Sequence, residues 1–492
     1  MNGVLFGVVA YVLVQFAIGA WVSRRMTGEA EYILAGRRLG LGLVTFSVFA
    51  TYFGAEAIVA TGGAVYDKGL AGALVDPFAY ASAILIAGLL FARLLWNRGL
   101  TTFADLFRTR YSPGVERLVV IILLPGSIIW AAAQVRAFGQ VMSANASIGL
   151  TMSITLAAVL VGAYSVVGGL FADAVTDTIQ GIAVLIGLIL LGFMVAAHMD
   201  GVPAGLARVQ AERFNLLDPT ESILGTIEKC LVPLCGTIVA VELISRFLGA
   251  RSGNVAMLGT SIGGGIYIVI GLIPVFLGLM GPIVLPGLEE PEQTVPKMAE
   301  VFLPGVLYVA FVGAVISAIL STVHAALHAP AAQISHNIVV RALPGMTDRG
   351  KLWSVRLTVL VLAALAYVIA LLSRGIHELV ETASAFGSAG VMVATLFGLF
   401  TRVGGPASAY ASVLTGLAVW AVGRYMLKVE APYLIAALPE LPRLIHQRLL
   451  APAAASDQAL KDLAEAQRAR NRWLAIVAAL LVLVVVELLV AR

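Results

Sequence analysis

A run of polar residues interrupts the apolar stretch at 318–332, which reads AILSTVHAALHAPAA. In a membrane an unpaired polar group is costly, so such residues face a protein interior or a water-filled path. At helical spacing these side chains share one stripe, with Thr322 at its edge. The members of this polar stripe are Ser317, Ser321, His324, His328 and Ser335. Hydroxyl oxygens suit a hard cation such as sodium, although Ser and Thr also bond back to their own helix.

The two histidines of the stripe, His324 and His328, are four residues apart and are also spaced as a metal pair would be. No third acid or histidine is placed to join them, and the sequence holds no HExxH motif, which disfavours a transition-metal site. The two cysteines, Cys230 and Cys235, lie in an apolar stretch at a spacing unlike a zinc knuckle. We interpret them as packing residues.

A second stretch, FSVFATYFGAEAIVATGGAVY, is rich in glycine and contains an acid, Glu56. Unwound backbone within a membrane is tolerated only where it lines a cavity, and half-helices at such breaks bind substrates in transporters. Gly54 beside Glu56 therefore favours a discontinuous helix. The alternative is close helix packing, with Glu56 paired to a neighbour.

A third stretch, SVVGGLFADAVTDTIQG, opens a helix with Asp173 and Asp177, which share one face because they are four apart. Acids near a helix N-terminus are favoured by its dipole, which accounts for both residues without a function. Asp177 lies deeper in the helix, where a carboxylate suits a cation or proton route.

Composition indicates which elements must position these residues. The 492-residue chain is 60% hydrophobic and 12% charged, against roughly a quarter charged in soluble domains. Apolar runs long enough to span a bilayer recur along it, which predicts an all-α polytopic membrane protein of about thirteen transmembrane helices. The predicted spans are 3–22, 41–65, 72–96, 114–144, 148–168, 174–198, 221–248, 256–284, 300–339, 352–373, 378–401, 406–424 and 470–490.

Orientation follows from the basic residues, which concentrate in cytoplasmic loops. Arg24, Arg25, Arg37 and Arg38 follow the first span, and no charge precedes it. We expect a multi-pass protein of the cell (inner or plasma) membrane with its N-terminus outside. The first span lacks the charged leader and the cleavage site of a signal peptide. The net charge of +4 reflects this loop pattern and implies no nucleic-acid partner. The number of spans is thirteen or fourteen, depending on whether the basic segment 425–469 crosses the membrane.

Three stretches, FATYFGAEAIVATGGAVYDKG, VVGGLFADAVTDTIQG and GAVISAILSTVHAALHAP, occur in an order and at intervals that resemble the sodium:solute symporter family. The resemblance extends from the first span to about residue 425 and is closest in places to the high-affinity choline transporter branch. It implies a leucine-transporter fold of two inverted five-helix repeats, formed by spans two to eleven. We divide the chain accordingly into 1–40 (extra span and loop), 41–248 (first repeat, with extracellular loop 199–220), 249–424 (second repeat), 425–469 (charged loop) and 470–492 (last span).

The resemblance also implies a sodium site between the broken helix and the polar stripe. Its ligands would be the carbonyls of Ala50, Phe53 and Ala318 and the hydroxyls of Ser321 and Thr322.

Asp177 matches an acid that some relatives use at a second sodium site, but His324 and Ala325 stand where those relatives carry hydroxyls. Histidine is a poor sodium ligand, so a second sodium is not expected. Our hypothesis is that His324 pairs with Asp177 and that a proton replaces the second ion; the alternative is a neutral histidine hydrogen-bonded inside the bundle.

For the solute, the resemblance places three aromatic residues, Tyr52, Tyr80 and Trp130, in the pocket, where aromatic faces suit organic cations. Glu56 and Ala57 are further predicted substrate residues; an alanine at 57 argues against a sugar. Ala240 replaces a tryptophan of the choline branch, which argues against choline itself. Glu242 and Arg246, four apart, are expected to pair with each other.

The sequence thus predicts a sodium-coupled symporter for a small organic solute (an amine, amino acid or carboxylate) that works by alternating access. Its partners would be that solute, sodium and the lipid bilayer; the oligomeric state is open. We find no nucleophile–base pair or metal set that would indicate an enzyme. The alternatives are a proton-coupled or sodium-independent transporter of an organic cation, or a transporter-like membrane sensor, which would need a separate signalling partner.

Overall fold

The computed structural model describes residues 13, 14, 16–19, 21, 22, 28–146, 148–373 and 376–437. Within this part of the chain, nine helices are long and apolar enough to cross a membrane, and two shorter apolar helices accompany them. The all-helical membrane fold predicted from the sequence is confirmed. The predicted spans 3–22 and 470–490 lie largely or wholly outside the described residues, so the total of thirteen stays a prediction.

Helices follow one another along the chain with short connections. They are α1 (Glu29–Leu34), α2 (Leu41–Tyr52), α3 (Thr61–Lys68), α4 (Tyr80–Ile86), α5 (Arg93–Asn97), α6 (Ala104–Arg110), α7 (Pro113–Ala146), α8 (Leu150–Val167), α9 (Leu170–His198), α10 (Val202–Ala207), α11 (Ile223–Ile238), α12 (Val241–Leu248), α13 (Gly253–Val284), α14 (Thr294–Phe302), α15 (Gly305–Ile334), α16 (Val340–Ala342), α17 (Asp348–Leu372), α18 (Ile376–Ala385), α19 (Ser388–Phe400), α20 (Pro406–Ala421) and α21 (Pro432–Ala437). Wider π-type turns extend several of them, at Glu56–Ala60, Leu74–Ala79, Ala87–Ala92, Ser335–Val339 and Val422–Met426.

Two of the membrane helices are broken in their middle. Helix α2 ends at Tyr52 because Phe53 leaves the helical conformation, with φ −83° and ψ 59°, and the helical path resumes through Glu56–Ala60 into α3. Helices α11 and α12 are separated by an extended Ala240, with φ −64° and ψ 125°. The first break agrees with the prediction from Gly54.

The second break was not predicted, since the sequence analysis treats 221–248 as one span. A further difference occurs in the predicted span 378–401, where Gly387 adopts a positive φ of 72° between α18 and α19. In both cases the apolar run continues through the break, so hydropathy alone predicts one continuous helix.

Glycines bring α13 against the first broken helix. A Cβ on Gly263 would lie 2.9 Å from the Thr45 carbonyl oxygen, and one on Gly278 would lie 2.7 Å from the Gly62 carbonyl oxygen. Small residues allow such close approach of helix backbones, which in a membrane replaces the hydrophobic driving force for association.

The polar stripe of α15 faces the protein interior, as predicted. Ser317, Ser321, His324 and Ser335 are completely buried, and His328 is 2% exposed. Large apolar side chains on the outer helices, such as Phe193 on α9 and Leu357 on α17, are exposed instead. This is the arrangement of a membrane protein with a lipid-facing rim and a polar centre.

The starts of α2 and α13 lie at the same end of the molecule, which is called the basic end here because Arg37, Arg98 and Arg251 lie there. There the Leu39 amide donates a hydrogen bond to the Gly249 carbonyl (3.1 Å), and the Arg251 amide donates one to the Leu39 carbonyl (2.9 Å). These bonds join the chain that enters α2 to the chain that leaves α12.

Candidate functional site

The break after α2 faces the polar stripe of α15. In a continuous helix the Gly54 amide would donate to the Ala50 carbonyl, but it donates to the Tyr52 carbonyl instead (2.9 Å). The Ala50 oxygen lies 3.5 Å from the Thr322 hydroxyl, which in turn donates to the Ala318 carbonyl at 3.1 Å. Two backbone carbonyls and one hydroxyl therefore converge where the sequence places the sodium ligands.

Glycine at position 54 is required for this approach. A Cβ there would lie 2.6 Å from the Thr322 hydroxyl oxygen and 3.3 Å from Oε1 of Gln134. Phe53, another predicted ligand through its carbonyl, forms the break itself, and its ring stacks on Phe49 at 4.7 Å between centroids.

Ser321, the remaining predicted ligand, is directed at a carboxylate. Its hydroxyl donates a hydrogen bond to Asp177 Oδ1, and the hydroxyl of Ser47 donates to Asp177 Oδ2 at 2.7 Å. All three residues are completely buried. Asp177 is thus bound by one hydroxyl from each of the two helices that form the sodium-site geometry.

Arg246 on α12 is the main residue whose partner was predicted wrongly. Its guanidinium forms an ion pair with Asp173, lies 3.7 Å from Asp177 Oδ2, and donates through Nε to the Thr51 hydroxyl at 3.0 Å. The predicted pairing with Glu242 is therefore wrong. A buried guanidinium requires nearby carboxylates to offset its desolvation, and two are supplied by α9. The pairing also replaces the helix-dipole explanation of Asp173.

His324 lies against Asp173 rather than Asp177. Its Nε2 is 3.7 Å from Asp173 Oδ1, and its ring stacks on His328 at 5.4 Å between centroids. The predicted contact with Asp177 is thus not formed, because the hydroxyls of α2 and α15 hold that carboxylate. His328 Nε2 lies 3.1 Å from the Tyr32 carbonyl. Across the described residues, no three His, Cys, Asp or Glu side chains are grouped to hold a metal ion.

We call Asp173, Asp177, Arg246 and His324 the core charge cluster. Several of its atoms lack a hydrogen-bond partner within the described residues, among them Asp173 Oδ1 and both ring nitrogens of His324.

A cavity with about 540 Å³ of empty space, including its mouth, lies beside the two helix breaks. Its walls include the three predicted aromatic residues, Tyr52, Tyr80 and Trp130. The rings of Tyr52 and Trp130 lie 5.5 Å apart between centroids, and the Tyr80 hydroxyl is 3.1 Å from the Ser384 hydroxyl. The structure therefore brings the three aromatic residues together in one cavity wall.

Two other predicted substrate residues, Glu56 and Ala57, are not part of the cavity wall. Ala57 is completely buried. The Glu56 carboxylate lies near Tyr80 and Trp130 of the aromatic wall.

A carboxylate that the sequence analysis did not assign to the site lines the cavity: Glu242, which is 3% exposed. The signal was available, because an ionisable residue inside an apolar span is a functional hypothesis by default. It was missed because its spacing from Arg246 gave it an apparent partner. Asp76 was missed as well; it accepts hydrogen bonds from the Tyr267 hydroxyl at 3.0 Å.

A second cluster of charged residues lies at the basic end and is called the basic-end network. Asn337 donates to Asp105 Oδ1 (2.9 Å) and to Glu116 Oε1 (2.8 Å), and Arg341 pairs with the same two carboxylates at 2.7 and 3.2 Å. It joins α6 and α7 to the end of the α15 segment.

A helical membrane protein whose two broken helices meet at a buried cavity and an oxygen-rich site has the architecture of a secondary active transporter. The fold superimposes with a TM-score of 0.81 on the substrate-bound outward-open state of a Na+-coupled sialic acid symporter, covering 92% of this chain and 99% of that one at 16% identity. The family model for the sodium:solute symporter family matches residues 32–416, and the chain belongs to this family.

Curated relatives agree with this assignment. The chain is 26% identical to the high affinity choline transporter 1 of Homo sapiens over 401 residues, which cover 76% of this chain and 69% of the relative. It is 26% identical to the sodium/proline symporter of Haemophilus influenzae over 432 residues, covering 82% and 85%. The predictions of a sodium-coupled transporter, and of a transporter rather than an enzyme, are confirmed.

Proposed function

We propose that this symporter binds its sodium ion at the break of α2, between the carbonyls of Ala50, Phe53 and Ala318 and the hydroxyls of Ser321 and Thr322. The observation that carries the proposal concerns the Ala50 carbonyl. It does not accept the helical hydrogen bond from the Gly54 amide, and it lies 3.5 Å from the Thr322 hydroxyl. Freed carbonyls and hydroxyls supply the oxygen ligands of a hard cation without a buried charge.

One sodium ion per cycle is the proposed stoichiometry. The position expected for a second ion is beside Asp177, and there the Arg246 guanidinium lies 3.7 Å away and already supplies positive charge. A second cation at this carboxylate would be repelled. The proposed roles of Asp177 and His324 are therefore to support the sodium site rather than to carry a second ion or a proton.

The solute is a small organic molecule that binds in the cavity against Tyr52, Tyr80 and Trp130. Binding of sodium favours one state of the bundle, and the sodium gradient then drives accumulation of the solute. The basic end faces the cytoplasm and the N-terminus lies outside. The two broken helices support a boundary between the repeats ahead of Ile223 instead of at 248, since each repeat would then begin with a broken helix.

Thermal unfolding of the detergent-purified protein in NaCl and in KCl tests the sodium site. Thr322→Val is expected to weaken the apparent sodium affinity about tenfold or more, since it removes one ligand and its charge-assisted contact. Thr358→Val is the matched control, because Thr358 makes the same bond back to its own helix (2.8 Å to the Ser354 carbonyl) on α17.

An unchanged sodium response in Thr322→Val would contradict the site. Stabilisation that depends on pH and not on sodium would favour the proton-coupled alternative, and transport by His324→Ala would then lose that pH dependence.

A further inference from the structure

The cavity region holds three buried carboxyl groups. Glu242 lines the cavity, Glu56 lies near its aromatic wall, and Asp76 lies nearby against Tyr267. Within the described residues, no Lys, Arg or His side chain is within ion-pair distance of any of these carboxylates. The nearest guanidinium along the chain, that of Arg246, is ion-paired with Asp173.

Glu242 is positioned to bind a ligand. It lies in the first turn of α12, directly after the extended Ala240, so the half-helix dipole favours its ionised form. Ser127 lies near the carboxylate in the cavity wall. The Oε1 atom of Glu242 is buried and has no hydrogen-bond partner within the described residues. The dipole explains why the charge is tolerated, but it leaves this oxygen without a donor.

The Tyr52 hydroxyl has the same property. It is buried in the cavity wall without a hydrogen-bond partner among the described residues, and it is close enough to Glu242 and Glu56 to interact with both. A buried polar atom without a partner is costly, so both oxygens favour a ligand that donates hydrogen bonds.

The carboxyl groups and the two oxygens without partners together define the ligand. A buried carboxylate without a cation is strongly unfavourable, and a cationic ligand removes that cost. The rings of Tyr52 and Trp130 provide faces that attract a cation. An anion would be repelled, and the carboxylate of a zwitterion would find no Lys, Arg or His side chain in the wall that the described residues form.

We propose that the cavity binds a compact organic ammonium ion whose N–H groups donate hydrogen bonds to Glu242 and to the Tyr52 hydroxyl. A quaternary ammonium ion has the charge but no N–H, so it binds more weakly. The inference rests on the proposed function, since the cavity is taken to be the solute site of the symporter.

The test is binding of a matched two-carbon series to the purified full chain in NaCl, measured by calorimetry and thermal stabilisation. The probes are ethanolamine, choline, glycine, glycolate and ethylene glycol. Ethanolamine is expected to bind most tightly and choline next, whereas glycolate is expected not to bind. Glu242→Gln should weaken ethanolamine binding about tenfold or more, because it removes a charge-assisted hydrogen bond. Glu300→Gln is the control, since Glu300 is exposed and pairs with Lys297.

Tyr52→Phe provides a second test, because it keeps the ring and removes only the hydroxyl. It should weaken ethanolamine binding more than choline binding. Sodium-dependent stabilisation retained in both variants shows that they are folded.

The possible failures are separable. If sodium stabilises the protein but glycolate or ethylene glycol binds as well as ethanolamine, or ethanolamine does not bind at millimolar concentration, the inference is wrong and the sodium site stands. Choline binding equal to that of ethanolamine overturns the requirement for N–H bonds. If sodium affects neither stability nor binding, the proposed function itself fails.

Discussion

Two charge clusters in this molecule have nearly the same composition and differ in how completely their groups are hydrogen-bonded. The core charge cluster contains Asp173, Asp177 and Arg246, and the basic-end network contains Asp105, Glu116 and Arg341. In the network a single amide, that of Asn337, donates to both carboxylates, at 2.9 and 2.8 Å. The core charge cluster has no such bridge within the described residues, and Asp173 Oδ1 is without a hydrogen-bond partner.

The two histidines repeat this contrast. His336, at the basic end, lies with Nδ1 3.0 Å from Glu29 Oε1, whereas neither ring nitrogen of His324 has a hydrogen-bond partner among the described residues. Exposure differs as well: the side chain of Arg341 is 30% exposed and that of Arg246 is 1% exposed. The comparison indicates that the network holds helices together through nearly complete hydrogen bonding, whereas the core charge cluster leaves buried polar atoms without partners beside the proposed sodium site.

The largest effect is expected from removing the buried guanidinium. Arg246→Ala leaves two buried carboxylates without a cation and should lower the free energy of unfolding by about 3–5 kcal/mol. Arg341→Ala should cost about 1 kcal/mol, because its pair is partly exposed to water. Unfolding of the purified variants by titration with denaturing detergent measures both. Equal losses of unfolding free energy in the two variants would contradict the expected effect of burial.

A smaller effect is expected at the bridge of the basic-end network. Asn337→Ala removes two hydrogen bonds to carboxylates and should destabilise the protein by about 1–3 kcal/mol. It should leave the apparent sodium affinity unchanged, since it acts at the other cluster. The same unfolding titration and the sodium response together check this. A loss of sodium affinity would contradict the separation of the two clusters.

The smallest change in stability is expected for Asp177→Asn, which should instead change the apparent sodium affinity. Asp177→Asn keeps the shape of the side chain and should weaken sodium binding by roughly tenfold, because a nearby interior charge contributes at least about 1.4 kcal/mol. Glu116→Gln, the matched change in the network, should not alter sodium binding. Sodium titration of thermal stability compares the two variants, and the reverse pattern would disprove the assignment.

The sequence predicted the parts of the site that depend on local patterns. Helical spacing was sufficient to place Ser321 and His324 in the interior, and glycine beside an acid was sufficient to predict the break at Gly54. The break at Ala240 could not be predicted in this way, because no glycine or proline stands at 239 or 240 to interrupt the apolar run.

Charge pairing was the least predictable feature. Spacing along α12 suggested a pair between Glu242 and Arg246, but partner choice depends on which helices pack around the guanidinium, and α9 offers two carboxylates. That single error also concealed Glu242 as a cavity residue. Tertiary packing, and not spacing, determines where a long charged side chain binds.

The backbone bonds at Leu39 have a consequence for the transport cycle. They join the basic-end half of one broken helix, α2, to the basic-end half of the other, α12, through Gly249 and Arg251. Moving one half-helix alone would break two hydrogen bonds, at a cost of about 1–3 kcal/mol. Joint movement of the two half-helices keeps both bonds, so this cost favours opening of the pathway on that side by a concerted movement over separate movements of α2 and α12.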